Sequence, residues 1–294
     1  AKSAGKDQFA LFCDGLHSKA ARQLELESAL AQALTRCEFT LHYQPICRVA
    51  GDQPYLVGVE ALLRWRFNNQ PVAPNEFIPV LEESREIVRV GEWVLREACC
   101  QVRRWQLAGQ SQLYCAVNLS IRQLQQPGFA ALLARVLRET GLPPASLLLE
   151  ITETLLMQDS ELMMGALHEI AALGVRLALD DFGTGYCSLG YLKRYPLHVL
   201  KVDRSFIAAA PDDADSVAIS RAVIGLGQSL GLAVVAEGVE HPEQVAFLVA
   251  EGCQLVQGYW FSRPRPATEL QALFDGEHCV EGLWRLRPVQ PAVA

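Results

Sequence analysis

Polar side chains recur in the second halves of short apolar segments of this sequence. The recurring residues are Glu60, Asn118, Glu150, Asp180, Asp181, Lys201, Glu237 and Gln257. A single polar residue in such a place is usually a hydrogen-bonded core group, but seven segments that share the arrangement are hard to attribute to chance. The pattern therefore predicts that these side chains meet in one site.

Five of these side chains are carboxylates, and in one site they would repel one another strongly without cations. Oxygen ligands suit Mg²⁺ or Mn²⁺, and zinc is disfavoured because no histidine or cysteine falls at these positions. A pair of such metal ions is a known device for phosphoester hydrolysis. The residue types therefore point to metal-assisted chemistry on a phosphate ester.

Asp180 and Asp181 pose a geometric question because they are adjacent. In a regular strand, neighbouring side chains point to opposite faces of the sheet. Both aspartates can serve cations if the strand twists or ends at Asp181. Gly183 and Gly185 follow closely and would supply the backbone freedom for that turn.

Eight apolar, β-branched or aromatic runs alternate with helical segments along the chain. The runs span 39–46, 55–65, 113–120, 147–152, 175–182, 198–203, 233–239 and 255–261, and helices are predicted near 76–83, 86–108, 128–140, 160–173, 215–230 and 241–251. This alternation favours a closed α/β barrel of parallel or nearly parallel strands, with the active site at their C-terminal mouth. An open doubly wound sheet is the alternative. It is disfavoured because no G-x-G-x-x-G follows the first strand and no phosphate-binding loop motif occurs.

The composition narrows the class of protein. The net charge of −7 argues against binding to a nucleic acid polymer, so a bound divalent cation is the obvious means of attracting an anionic ligand. Nine cysteines without a C-x-x-C pair indicate reduced thiols rather than a disulfide scaffold or a zinc ribbon. No run of about 18 uncharged apolar residues occurs, so we expect a cytoplasmic protein that reaches a membrane only through segments upstream of this chain.

The motifs on these runs resemble those of the EAL-domain family of cyclic-di-GMP phosphodiesterases. Glu60 to Trp65 reads EALLRW, the signature segment. The other motifs, which stand in the family's order along the chain, are YQPI (43–46), VNLS (117–120), LEITE (149–153), DDFGTGYCSL (180–189), LKVD (200–203), AEGVE (236–240) and QGYWFSRP (257–264). The resemblance covers roughly residues 36 to 275.

The resemblance implies a fold and an activity. The fold is a modified (β/α)8 barrel of the TIM type with an antiparallel first strand. The activity is hydrolysis of cyclic di-GMP to linear 5′-pGpG with two Mg²⁺ or Mn²⁺ ions per site, and Ca²⁺ is expected to inhibit. The alternatives are a cyclic-di-GMP receptor without turnover and an unrelated barrel enzyme that handles an enolate on Mg²⁺ with Lys201 as base. The complete set of family site residues favours the phosphodiesterase.

The resemblance also assigns roles to individual residues. The implied metal ligands are Glu60, Asn118, Glu150, Asp180, Asp181 and Glu237. The implied catalytic residues are Lys201, Glu237, Asp181 and Glu153, with Lys201 at the attacking water and Glu153 holding the loop after the fifth run. The implied substrate-binding residues are Gln44, Glu60, Leu63, Arg64, Asn118, Asp180, Gln257, Glu240 and Pro264. Among these, Arg64 is expected to contact a substrate phosphate, and Gln257 to support the metal centre.

The predicted organisation has three parts. Residues 1–36 are the tail of a preceding domain with a linker helix near 22–36, residues 37–280 are the EAL barrel, and 281–294 are a C-terminal tail. Residues 1–12, AKSAGKDQFALF, resemble the last strand region of a diguanylate cyclase (GGDEF) domain, which implies a longer signalling protein. The resemblance further implies a homodimer through the region after the fifth run. Cys187 replaces the family's usual serine there, and we expect it to affect regulation before activity.

Overall fold

The computed structural model describes residues 14–50, 53–156, 161–183 and 192–274. Several predictions lie outside these residues. They are the GGDEF-like stretch at 1–12, the first residue of the helix predicted near 160–173, the loop with Gly185 and Cys187, and the C-terminal tail.

The described residues form one sheet whose strands close into a barrel. The strands are β1 Phe39–Ala50, β2 Gln53–Phe67, β3 Gln70–Val72, β4 Tyr114–Asn118, β5 Leu147–Thr152, β6 Arg176–Phe182, β7 Val199–Val202, β8 Ala233–Ala236, β9 Leu255–Val256 and β10 Arg265–Pro266. Their order is β10-β1-β9-β8-β7-β6-β5-β4-β2-β3, and an additional pairing of β1 with β2 closes the ring. Strands β2 and β4 to β9 pair in parallel. Because β1 pairs antiparallel with β9, the predicted barrel with an antiparallel first strand is confirmed.

Helices precede, connect and follow the strands. They are α1 Asp14–Ala33, α2 Pro74–Glu83, α3 Ile87–Leu107, α4 Ile121–Leu124, α5 Phe129–Thr140, α6 Glu153–Leu156, α7 Glu161–Ala172, α8 Arg204–Ile207, α9 Ala214–Ser229, α10 Pro242–Ala250 and α11 Ala267–Phe274, with a 3₁₀ turn at Pro144–Ser146. The six predicted connecting helices occur with ends within two residues of the prediction. The one-turn helices α4, α6 and α8 were not predicted, because four residues are too few to display a helical period.

The chain divides into two compact units. One comprises the described residues up to Thr40 together with Arg64–Val88, and the other comprises Leu41–Leu63 together with the described residues from Arg89 onward. In the first unit, the ring centroid of Trp65 lies 6.2 Å from that of Phe39 and 5.7 Å from that of Phe77. The predicted boundary at residue 36 stays a prediction.

The second unit contains a closed layer of apolar side chains inside the barrel. The layer consists of Ile46, Tyr114, Ala116, Leu148, Ala178, Val199, Val235 and Leu255, with Val57 packed against it. Each of the eight barrel strands thus contributes to it. Gly58 makes room for the largest member, because a Cβ atom at Gly58 would lie 2.4 Å from the Tyr114 ring.

No helix among the described residues is long and apolar enough to cross a membrane.

Truncation of the barrel layer should destabilise the fold. Leu148 is 1% exposed, so Leu148→Ala should lower the free energy of unfolding by about 2–5 kcal/mol through the cavity it leaves. Leu107→Ala removes the same atoms from a leucine that is 73% exposed, and should change that free energy by less than about 0.5 kcal/mol. Urea denaturation of both variants measures the difference. Equal effects would contradict the interior position of Leu148.

Candidate active site

The side chains predicted to share a site lie directly beyond the apolar layer. In six parallel strands the site residue follows its layer residue by two positions, so both point to the same face. The pairs are Ala116 and Asn118, Leu148 and Glu150, Ala178 and Asp180, Val199 and Lys201, Val235 and Glu237, and Leu255 and Gln257. Since the strands are parallel, the polar members gather at the C-terminal mouth of the barrel.

Lys201 lies at the centre of this group and is 1% exposed. Its Nζ atom lies 2.8 Å from Glu150 Oε1 and 3.2 Å from Asp180 Oδ1. The same atom lies 2.5 Å from Glu237 Oε1 and 3.9 Å from Glu60 Oε2. One buried ammonium group therefore attracts carboxylates from four different parts of the sheet.

The negative charge around Lys201 exceeds the positive charge. Burial is the main cause that raises the pKa of Glu150 well above its usual range, and the attraction of Lys201 offsets it only in part. Burial likewise raises the pKa of Glu237 to about 8. Burial alone would lower the pKa of Lys201, but the surrounding carboxylates raise it well above its usual value. The lysine thus stays charged, while the carboxylates lack enough positive charge to ionise together.

Glu60 is held in one orientation by amide side chains. Asn118 Nδ2 donates to Glu60 Oε1 at 2.7 Å, and Gln257 Nε2 donates to Glu60 Oε2 at 2.6 Å. Gln257 Nε2 also donates to Gln44 Oε1 at 3.2 Å, and Gln44 Nε2 donates to the Ser262 carbonyl at 3.2 Å. The two amides therefore position both oxygens of Glu60.

Asp180 and Asp181 reach the same site because β6 is irregular where they stand. Asp181 has a φ of 54°, a left-handed conformation that aspartate adopts more readily than most residues. The register between β6 and β7 shifts over the same segment. One oxygen each of Asp180, Asp181 and Glu237 lies within 4.8 Å of the others. The change of direction begins at Asp181 itself, and Gly183, with a φ of 98°, continues it.

The donor set fits a hard divalent cation. Asp180, Asp181 and Glu237 offer only carboxylate oxygens. The buried Glu150 carboxylate accepts no hydrogen bond of good geometry from the described residues, although Lys201 lies beside it. A cation would supply the positive charge that this group lacks.

A cavity of about 200 Å³ lies at this end of the barrel. The predicted site residues that line it are Gln44, Glu60, Asp180, Lys201, Glu237, Glu240 and Gln257. Its other lining residues, which were not predicted, are Leu62, Arg204, Gly238, Gly258 and Tyr259.

Comparison with known proteins identifies the family. The profile of the EAL domain matches residues 27–264. The chain belongs to the EAL-domain family. It is 42% identical over 273 residues to the bifunctional diguanylate cyclase/cyclic di-GMP phosphodiesterase MucR of Pseudomonas aeruginosa, a match that covers 92% of this chain and 40% of MucR. It is 35% identical over 272 residues to the cyclic di-GMP phosphodiesterase PdeR of Escherichia coli, again covering 92% of this chain and 40% of that protein.

Solved structures of EAL domains show the same fold. The c-di-GMP complex of the P. aeruginosa MucR phosphodiesterase superimposes with a TM-score of 0.79 at 42% identity, covering 84% of this chain and 99% of that one. The EAL domain of Mycobacterium smegmatis DcpA superimposes with a TM-score of 0.70 at 36% identity, covering 81% and 98%. This EAL chain spans about 40% or less of the length of curated relatives that it matches.

Some predicted residues of the EAL site lie elsewhere. Asn118 and Glu150 join the group through their contacts with Glu60 and Lys201, without lining the cavity. The remaining three, which are half-buried and outside the described cavity lining, are Leu63, Arg64 and Pro264. Their roles in substrate binding stay predictions.

Asp203 was not predicted and lies close to the EAL carboxylates. Its side chain accepts a hydrogen bond from Ser205 N at 2.9 Å and so caps α8. Burial, together with the charges of Asp180 and Asp203, raises the pKa of Asp181 to about 6. Asp203 follows Lys201 by two residues, so the alternation along β7 could have found it.

Glu153 contacts the segment that follows the two aspartates. It is 3% exposed at the start of α6, and its Oε2 atom accepts a hydrogen bond from Gly183 N at 3.2 Å. This contact lies at the beginning of the loop that Glu153 is predicted to hold. The loop's residues 184–191 lie outside the described part of the chain.

Removal of Glu153 should loosen the end of β6. Glu153→Ala leaves the Gly183 amide without its acceptor, so its hydrogen exchange should accelerate about tenfold, whereas Glu153→Gln keeps an acceptor and should stay near the original rate. Hydrogen exchange measured by mass spectrometry over the β6 peptide tests this. The exposed Glu161 provides the control Glu161→Ala. Unchanged exchange in Glu153→Ala would contradict the contact.

Proposed function

We propose that this EAL domain hydrolyses cyclic di-GMP to linear 5′-pGpG. The observation that carries the proposal is the group of carboxylates around Lys201 at the barrel mouth, with no member of the family's predicted set replaced. Membership of the EAL family and the similarity to phosphodiesterases support it. The chain covers only part of these relatives, so any activity of further domains stays outside the proposal.

The metal-binding residues are assigned from the donor set. We assign six residues to the pair of metal ions. They are Asp180, Asp181 and Glu237, together with Glu60, Asn118 and Glu150. Two bound Mg²⁺ or Mn²⁺ ions would lower the pKa of a water molecule and offset charge on the leaving oxygen. The raised pKa values of Glu150, Glu237 and Asp181 support this assignment, because at each carboxylate the effect of burial outweighs the attraction of Lys201.

The protein groups have separate tasks in the proposed reaction. Asn118 and Gln257 hold Glu60 in the orientation that presents its oxygens to the site. Lys201 is assigned to the attacking water, because its ammonium is fixed among the carboxylates at the base of the cavity. Gln44 and Glu240 line the cavity and are assigned to substrate contacts.

The direct test is incubation of the purified chain with cyclic di-GMP and Mg²⁺, with product identification by mass spectrometry. The proposal expects pGpG with Mg²⁺ or Mn²⁺, none after chelation, and inhibition by Ca²⁺. Calorimetric binding without any product in either metal would instead identify a receptor without turnover. The homodimer and the cytoplasmic location remain predictions, which sedimentation and cell fractionation would check.

Removal of Glu60 should weaken metal binding. Glu60→Ala deletes one carboxylate of the proposed shell, so Mg²⁺ affinity should fall about tenfold or more and most activity should be lost at limiting Mg²⁺. Titration calorimetry with Mg²⁺ measures the affinity, and circular dichroism checks the fold. The exposed Glu169 provides the control Glu169→Ala. Full activity of Glu60→Ala at limiting Mg²⁺ would refute the assignment.

Asp181 should matter for turnover more than for binding. Asp181→Asn keeps the shape and an oxygen ligand but removes one negative charge from the proposed second cation. Turnover should fall by about a hundredfold, equivalent to roughly 2.7 kcal/mol of transition-state stabilisation, and the loss should appear in kcat. Binding of cyclic di-GMP in Ca²⁺ should survive. Near-normal turnover, or lost binding with a normal fold, would refute the two-metal role of Asp181.

A further inference from the structure

A one-turn helix presents an arginine to the cavity. Arg204 is the first residue of α8, is exposed and lines the cavity. Its guanidinium makes no hydrogen bond or ion pair with the described residues. Lys201, the other basic lining residue, is buried among carboxylates that neutralise its charge. Within the described lining, Arg204 is therefore the cation that an entering ligand can reach.

Buried polar side chains fix the helix that carries Arg204. Ser220 Oγ donates to the Phe206 carbonyl at 3.1 Å, and Gln244 Nε2 donates to the Ile207 carbonyl at 2.9 Å. Ser220 is fully buried and Gln244 is 2% exposed. Because these donors come from α9 and α10, α8 is anchored from two sides and offers Arg204 from a rigid element.

The helix also packs against the turns that follow two of the site carboxylates. A Cβ atom at Gly183 would lie 2.8 Å from the Phe206 ring, so the ring packs closely against the turn after Asp181. Gly238 follows Glu237 with a φ of 68°, and a Cβ atom there would lie 2.3 Å from Arg204 Cβ. These close approaches set the position of Arg204 relative to the carboxylates.

The charge of the cavity explains the need for this arginine. Its acidic lining residues are Glu60, Asp180, Glu237 and Glu240. Cyclic di-GMP carries two phosphodiesters, and only one can lie at the reacting centre. The other enters a cavity with acidic walls, where it is repelled unless a cation faces it.

We propose that Arg204 binds the phosphodiester of cyclic di-GMP that is not cleaved. The inference rests on the proposed function and adds a substrate-binding residue to it. A guanidinium group offers forked donors that match a phosphate. Because α8 is already anchored by buried contacts, less conformational entropy is lost when Arg204 binds a ligand.

Binding and kinetics of matched variants test the inference. Arg204→Ala should weaken cyclic-di-GMP binding in Ca²⁺, measured by calorimetry, by about tenfold or more, and should raise KM similarly while kcat changes by less than about threefold. Arg204→Lys keeps the charge but loses the forked donors, so its affinity should lie between those of Arg204→Ala and the original chain. Arg138→Ala removes an exposed arginine of α5, outside the cavity lining, and should bind like the original chain. Thermal unfolding confirms that each variant is folded.

The outcomes separate this inference from the proposed function. If the unmodified chain neither binds nor cleaves cyclic di-GMP, the proposed function is wrong and the inference falls with it. If the unmodified chain does both and Arg204→Ala binds equally well, only the inference is overturned. If Arg204 contacts a phosphate, Arg204→Ala should weaken the binding of 3′,3′-cyclic GMP-AMP and the binding of cyclic di-GMP by the same factor. A loss confined to cyclic di-GMP would assign Arg204 to a guanine and overturn the phosphate assignment.

Discussion

The excess of buried negative charge around Lys201 is the constraint on which this structure depends. Carboxylates removed from water repel one another, and a single ammonium cannot satisfy all of them. The carboxylates around Lys201 come from β2, β5, β6 and the residue after β8, and the amides of Asn118 and Gln257 stabilise Glu60. In the proposed function, the same unsatisfied charge binds the metal ions, so an electrostatic cost to folding becomes a source of binding energy.

The barrel links stability and chemistry through the two-residue period of its strands. In β5, for example, Leu148 packs in the apolar layer and Glu150 reaches the carboxylate group on the same face. Strand β1 runs in the opposite direction, so its site residue Gln44 precedes its layer residue Ile46 instead of following it. Gln44 still lines the cavity, and Ile46 still packs in the apolar layer. A change in strand register would therefore displace a core residue and a site residue together.

The sequence was informative where a local period decides the structure and less so where tertiary contacts do. Apolar alternation predicted the barrel strands, and the polar residue near each strand end predicted the group around Lys201. The left-handed conformation of Asp181 could only be posed as a question, since it depends on how β6 leaves the sheet. Arg204 was missed because its helix has a single turn, and its position is set by side chains from distant helices.

The apolar layer beneath the site also limits how a ligand can enter and leave the cavity. Tyr114 occupies the space beside Gly58, and the eight buried residues of the layer are at most 9% exposed, so their side chains fill the barrel beneath the site. Whatever binds above Lys201 must leave by the mouth through which it came. A reaction product that keeps the charges of its precursor would then occupy the exit and delay the next arrival. In the proposed reaction, product release therefore depends on this apolar layer as well as on the carboxylates above it.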